Sequence, residues 1–502
     1  SEAGIIRNGV FAALPDAFGI SLGYTNDPTT FKNRSTPAPS TRSMACKAQT
    51  SGRIYLHSGP RTELHEIIRQ EYARHQDRAV PRNTLRQAVQ GMLDTFAYQN
   101  FDAAAGEYTN RCCRPPRETE MRPWRLVTEI GWTGGGVLAY PLVLCRDALG
   151  ADAEAPLAAA MSGEQLFDRI ADAYNENSGL LNDLMAPNAA GSQVNGWWTG
   201  YGLVKDCHCA YTVGSAVHYL TKTMDYLHQN GKPCPAKWMD AAQKVLHTVM
   251  DLQRADGAFG YTYSTQERKV LDWSGFAGCW FAPALVYLYR LTGEERCLHS
   301  AEKALDYYHT FVKDLNCYGT PMDTWKAVDE EGNLAFMRGS RLLYEQTGKA
   351  EFLQYMKDSA GYEFLWRYGY KTYPEHTPLN QGWSACGGAV TSVSNPHIHP
   401  MGVIIDTDLR YLARVTGDGY YASRAADSAA WMLQCLELYP AATGYGRYGI
   451  LSERWCPSDG LDVERFSDGR PFSSWFSHNL WASACVLEAA CELLLEIEHK
   501  KG

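Results

Sequence analysis

No stretch of this 502-residue sequence approaches the roughly 20 continuous apolar residues that a membrane-spanning helix needs, and its start carries no basic and apolar leader. It also lacks a glycine-rich phosphate loop ending in Lys-Ser/Thr, a dinucleotide fingerprint between a strand and a helix, and a nucleophile elbow. Nucleotide-dependent and serine-hydrolase chemistry are thereby set aside. Positive charge is short as well: 47 Lys and Arg against 56 Asp and Glu leave a net charge of −9, a field that repels a phosphate backbone. Neither nucleic acid nor a membrane is an expected partner, whereas self-association stays open.

What the sequence has in quantity is aromatic. Its 14 Trp and 30 Tyr suit sugar faces as well as cores. Fifteen cysteines, an odd number without scaffold-like spacing, point to a reducing compartment and a cytoplasmic location. Because the first residue is Ser1 and not Met, a periplasmic location also remains if a segment precedes it.

Residues 1–80 are rich in Gly, Pro, Ser and Thr and read as an irregular or β-like N-terminal segment, the tail of a missing domain docked on the rest. From residue 81 to 502 a helical period dominates. Polar, amphipathic segments near 82–99, 163–176, 237–253, 296–312, 350–368 and 420–437 alternate with apolar ones near 134–149, 208–229, 276–291, 333–346, 401–415 and 473–496. Three apolar segments stop at a Thr-Gly pair, 292–293, 347–348 and 416–417, where glycine suits a left-handed helix end. Short apolar-to-polar links make neighbours antiparallel, and the long polar-to-apolar links all fall at the other end. Six such hairpins predict an all-α (α/α)6 toroid, with an open helical solenoid as the rival architecture.

The long links repeat their residue types. In four of them a carboxylate precedes a tryptophan by three residues or fewer: Glu129 and Trp132, Asp272 and Trp273, Asp323 and Trp325, Glu453 and Trp455. Hydrolysis of a glycosidic bond needs one carboxylic acid to protonate the leaving oxygen, a second carboxylate as base or nucleophile, and an aromatic platform for the ring. Glu129, Glu453, Asp272 and Asp323 are therefore the expected catalytic acids. Glutamate is a poor helix cap, which favours Glu129 and Glu453 over the aspartates. Trp132, Trp197, Trp198, His208, Trp273, Trp325, His397, His399, Arg454 and Trp455 are the expected substrate-binding residues. His397 and His399 alternate beside prolines, so both rings are expected on one side of an extended segment. Arg454 and Arg338, with Lys205, Lys326 and Arg447 behind them, are the cations available for an acidic substrate. Cys207, His208 and Cys209 have zinc-ligand chemistry without a recognised spacing, so neither a metal nor another cofactor is expected. Gly134-Gly135-Gly136 reads as a point of close helix approach.

Across residues 81–497 the chain resembles the six-hairpin glycosidases, through the paired helices, the Asp256-Gly257-Ala258-Phe259-Gly260 turn and the Trp-rich links. Terpene cyclases and sugar epimerases look similar at this level. More narrowly, Gly387-Gly388-Ala389-Val390 leading to Asn395-Pro396-His397-Ile398-His399-Pro400, with Leu451-Ser452-Glu453-Arg454-Trp455, resembles the β-glucuronidases of glycoside hydrolase family 154. That resemblance implies release of a terminal uronic acid from a glycan by a bacterial enzyme. No short motif carries that family's site residues onto this chain. Alternatives on the same barrel are an unsaturated uronyl hydrolase or a polysaccharide lyase, for which Tyr201, Tyr211 and His208 gain weight, and an epimerase using His397 and His399. A carbohydrate-binding protein without chemistry is the reading from outside enzymology.

Overall fold

In the computed structural model, residues 2–6, 9–14, 17–22, 59–75, 78–112, 122–126, 129–131, 134–183, 196–198, 203–319, 326–371, 384–392, 395–436, 449, 451–453, 455 and 477–499 are described. The helices among them are α1 (Leu64–Tyr72), α2 (Leu85–Thr95), α3 (Gly135–Leu149), α4 (Glu154–Ala159), α5 (Gly163–Asp172), α6 (Ala210–Gln229), α7 (Ala236–Asp251), α8 (Phe281–Thr292), α9 (Glu295–Lys313), α10 (Glu331–Thr347), α11 (Ala350–Trp366), α12 (Asp406–Thr416), α13 (Gly419–Cys435) and α14 (Leu480–His499). Each of the twelve segments read from the sequence holds one barrel helix.

Three threonines build the same joint between partners. Thr292, Thr347 and Thr416 end α8, α10 and α12, and each hydroxyl donates to the carbonyl four residues back, at 2.8, 2.7 and 2.6 Å. The same hydroxyls accept the amides of Glu294, Lys349 and Asp418, two residues on. Gly293, Gly348 and Gly417 lie between with φ of 74, 65 and 70°, a region that strains any residue with a β-carbon. The chain thus reverses within two residues and starts the next helix antiparallel.

Burial separates the two rings. On α7 the stripe Trp238, Ala241, Ala242, Val245, Leu246 and Val249 is buried at helical spacing, as an outer helix requires. On α6 burial runs unbroken from Ala210 to Asp225, because both flanks meet other inner helices. The inner order is α3, α6, α8, α10, α12, α14, and α14 packs on α3 to close the ring, which excludes the open solenoid. The triple glycine serves this packing: a β-carbon on Gly135 would collide with the Ile130 carbonyl, and one on Gly136 would stand 2.9 Å from Cβ of Tyr219 on α6. Outer helices α2 and α5 begin with reciprocal capping boxes, Thr84 with Gln87 and Ser162 with Gln165.

At the N-terminal side, strands Glu2–Ile6, Gly9–Leu14 and Ala17–Leu22 form an antiparallel meander, in keeping with the β-like reading. Helix α1 departs from it. Leu64, Ile67, Ile68 and Tyr72 recur at helical spacing within residues 1–80, and the helix is tied to the barrel: Arg69 donates to both oxygens of Asp418 at 2.7 and 3.0 Å, and Tyr72 donates to Asp427 at 2.5 Å. The pattern is two turns long, and the tertiary anchors that make it stable are remote in sequence. No described helix is long and apolar enough to cross a membrane.

Candidate active site

The long links 96–134, 173–209, 252–280, 314–330, 367–400 and 436–479 all lead into the N-terminal ends of inner helices, so the side chains described within them and six helix N-termini gather at one end of the barrel. Small two- to four-stranded sheets stiffen this end.

The 173–209 link supplies a group that sequence reasoning missed. After α5, strands Tyr174–Asn175 and Leu180–Leu181 pair across a tight turn. The Asn175 carboxamide oxygen accepts the Asn177 and Ser178 amides at 2.9 and 3.3 Å, and Gly179 takes φ 72° where a β-carbon would strike Thr248. This turn delivers Asp183 to the barrel end, 1% exposed, and the amide of Ile130 donates to its carbonyl oxygen at 3.0 Å. Glu129, 3% exposed, is thereby brought beside it.

The same link returns as strand Cys207–Cys209, paired with Thr262–Ser264, and places the fully buried His208 against Asp183. Nδ1 of His208 lies 3.9 Å from Asp183 Oδ1, beyond hydrogen-bond length, while Nε2 is 3.0 Å from the Ser178 hydroxyl. The Cys209 amide also approaches the carboxyl without completing a hydrogen bond. Burial pushes the Asp183 pKa up to about 6, against the pull of His208 and Cys209, and the charge on Glu129 adds to the rise.

Asp272 ends the next strand and has a different environment. Burial alone raises its pKa, but Lys326 at 2.6 Å and the Ser274 and Trp273 amides together hold it below the usual carboxylate value. Lys326 has φ 54° and lies 4.8 Å from the Tyr261 ring centroid; Trp197, 2% exposed, packs edge-on against the same tyrosine. Trp273 instead stacks under Arg254, 5.2 Å away.

The opposite wall comes from the later links. His399, 4% exposed, stacks on Trp481 at the start of α14, 6.2 Å between ring centroids. Glu453 is half-buried and accepts a hydrogen bond from the Asn479 amide at 2.6 Å, while Trp455 is buried edge-on against Trp431 and bridges Ile398 through the backbone. Tyr211, whose hydroxyl is 4.0 Å from Met401 Sδ and whose ring meets Trp280 edge-on, is buried beside Glu331. Behind it, burial and Glu363 push Glu330 well above the carboxylate range, and Arg367 joins Glu363 at 2.7 Å to Asp406 at 2.9 Å.

Glu129, Asp272, Glu453, Trp197, His208, Trp273, His399 and Trp455 are thus all carried by links at this end. Trp132, Asp323, Trp325, Arg454, Tyr201 and Arg447 lie outside the described residues, as do the side chains of Trp198 and His397. Arg338 requires a correction. Helix α10 carries it a full two turns below the rim, where it bonds Asp408 and the Ile404 carbonyl and lines a cavity of about 480 Å³ at the other end of the barrel with Lys222, Arg290, Arg341 and Glu492. Seven residues into a helix, a side chain is about 10 Å from the helix start.

No family model matches the sequence, and no curated protein matches it. Solved structures do resemble the fold. A sugar epimerase from a ruminal bacterium superposes over 86% of this chain and 99% of its own, with TM-score 0.52 and 10% identity. A family 76 glycoside hydrolase from a bovine Bacteroides thetaiotaomicron strain covers 83% of this chain and 78% of its own, with TM-score 0.53 and 11% identity. An unsaturated glucuronyl hydrolase with the saccharide dGlcA-Glc-Rha-Glc covers 81% and 96%, with TM-score 0.50 and 14% identity. The chain therefore has the (α/α)6-toroid fold. At such low identities the likeness is one of fold.

Proposed function

We propose that this chain is a glycoside hydrolase that releases a terminal uronic acid, as a β-glucuronidase does, with Asp183 and Glu129 as its working carboxyl pair. The observation that carries the reading is the buried Asp183 carboxyl, held in its acid form to about pH 6 beside a second buried carboxyl at the converging end of the barrel. A carboxyl retained as the acid donates a proton to the glycosidic oxygen as the bond breaks, and the neighbouring Glu129 serves as base or nucleophile at the anomeric carbon. Glu453 and Asp323 remain candidates for the same work, and Asp272 with Lys326 for holding the sugar. Lys326, beside Asp272 and over the Tyr261 ring, supports the binding of a uronate carboxylate, with the buried Trp197 and Tyr261 rings packed behind it. The substrate is a uronic-acid-containing glycan, and the reading calls on no cofactor.

Hydrolysis of chromogenic β-glucuronide, β-glucoside and β-galactoside by the wild type and by Glu129→Gln, Asp183→Asn and Glu453→Gln tests this. Selective cleavage of the glucuronide, lost at least a hundredfold in Asp183→Asn and Glu129→Gln, is expected. Cleavage of none of the three overturns it.

A sugar epimerase is the second reading, favoured by two buried histidines at the same end, His208 beside a carboxyl and His399 stacked on an indole. Deuterium uptake at carbon from heavy water during incubation with reducing sugars distinguishes it from hydrolysis.

A further inference from the structure

Ser178, His208 and Asp183 form a chain whose last link is open. Ser178 is 1% exposed, and its hydroxyl oxygen accepts the Leu180 amide at 3.3 Å. Its one proton is free for His208 Nε2, 3.0 Å away. An imidazole that accepts at Nε2 carries its own proton at Nδ1, and Nδ1 is the atom that faces Asp183. The His208 Nδ1 and both Asp183 carboxyl oxygens are buried and have no hydrogen-bond partner among the described residues. A buried donor and a buried acceptor left 3.9 Å apart, when about 1 Å of movement joins them, is an arrangement whose free energy falls once the carboxyl becomes anionic.

We propose that His208 is a positioning residue: Ser178 holds its imidazole in the Nδ1–H form, and that N–H closes onto Asp183 as the carboxyl gives up its proton. The inference rests on reading Asp183 as the acid. The bond forms only after proton donation begins, so it favours the transition state over the resting enzyme, which is where an interaction accelerates a reaction. It also gives the resting gap a function, since a hydrogen bond already closed would hold Asp183 as carboxylate and spoil it as a donor. Among the described residues, the other titratable groups facing Asp183 are Glu129, Cys207 and Cys209. Burial pushes the Cys207 thiol up to about 11 and holds the Cys209 thiol well above the ordinary thiol value, so both stay neutral, and of these side chains His208 is the one able to stabilise the new charge.

Two measurements test this on the full chain. With histidine labelled by nitrogen-15, long-range correlation spectra are expected to show His208 protonated at Nδ1 and bare at Nε2, and Ser178→Ala is expected to mix the two tautomers. In the pH profile of kcat/KM for a chromogenic glucuronide, His208→Leu is expected to lower kcat roughly tenfold or more with KM little changed and to move the alkaline limb to higher pH. His208→Asn, whose amide nitrogen stands near the position of Nδ1, is expected to restore most of both. A purely structural role predicts loss of stability with the limb unmoved and no rescue by asparagine. An Nε2–H tautomer in an active enzyme, or an unmoved limb in His208→Leu, overturns the inference alone. Failure of the wild type to cleave any glucuronide while His208 shows the Nδ1–H form counts against the glycosidase reading alone.

Discussion

Arg338 on α10 and Asp408 on α12 form a buried ion pair across two neighbouring inner helices, Nε standing 2.9 and 2.8 Å from the two carboxylate oxygens. Asp408 is fully buried and has Arg341 as a second partner at 3.2 Å. Arg338→Ala is expected to destabilise the barrel by about 3 kcal/mol, because it leaves a desolvated carboxylate with one weaker bond. The double variant Arg338→Met, Asp408→Leu is expected to recover most of that loss. Urea unfolding of Arg338→Met, Asp408→Leu and the double variant measures it, and simple additivity of the two single effects contradicts it.

Asp183 makes stability depend on pH with a definite sign. Its folded pKa, about 6, lies above the ordinary aspartate value, so the folded state binds more protons than the unfolded one between about pH 4 and 6. Stability from this group is full below that window and lost as pH rises through it, a cost on the order of 2–3 kcal/mol at neutral pH. Asp183→Asn is therefore expected to raise Tm at pH 8 by roughly 2–3 °C and to leave it unchanged at pH 4 while abolishing turnover. Equal Tm shifts at both pH values contradict the assignment.

Thr347→Val retains the shape of the α10–α11 joint and removes the hydroxyl that bonds the Leu343 carbonyl and the Lys349 amide. A loss of roughly 1–2 kcal/mol is expected by thermal or denaturant unfolding. Activity at 25 °C is expected to stay within twofold, since the joint lies at the end of the barrel opposite the carboxyls.

Lys326→Met removes the ammonium from Asp272 and from the face of Tyr261. If the substrate carries a carboxylate, KM for an aryl glucuronide is expected to rise about tenfold with kcat changed far less, the cost of one charge-assisted contact. An equal effect on a neutral glycoside assigns Lys326 to hydroxyl binding instead.

The barrel was legible because its signals are local. A 3.6-residue period, a Thr-Gly stop and a short link each act within a few residues, and six repeats of them leave one closed arrangement that buries the apolar helices on all sides. Helix α1 escaped because two turns of pattern mean little without Asp418 and Asp427 to hold them. Of the proposed site, only the residue types gathered at one end of the barrel were legible. Pairing acids with tryptophans pointed to Glu129, Asp272 and Glu453, yet passed over Asp183, which sits beyond an Asn-Ser-Gly turn with no indole beside it. An Asx turn delivering an aspartate into a link that ends on His208 was the available signal. Asp329-Glu330-Glu331 was not singled out at all, because three acids at a helix start carry no local mark of burial, and it is Glu363 from the next helix that meets Glu330.

By itself the sequence determined which barrel segments are helices, which of them face inward, where they reverse and at which end the long links with their acids and tryptophans gather. Only the tertiary structure decided which carboxyl is desolvated, that Asp272 is neutralised by Lys326 while Asp183 is not, and that Arg338 belongs to the opposite end. The physical reason is range. Helix propensity and turn geometry depend on neighbours along the chain, whereas the pKa of a carboxyl depends on burial and on charges within a few ångströms that arrive from other hairpins.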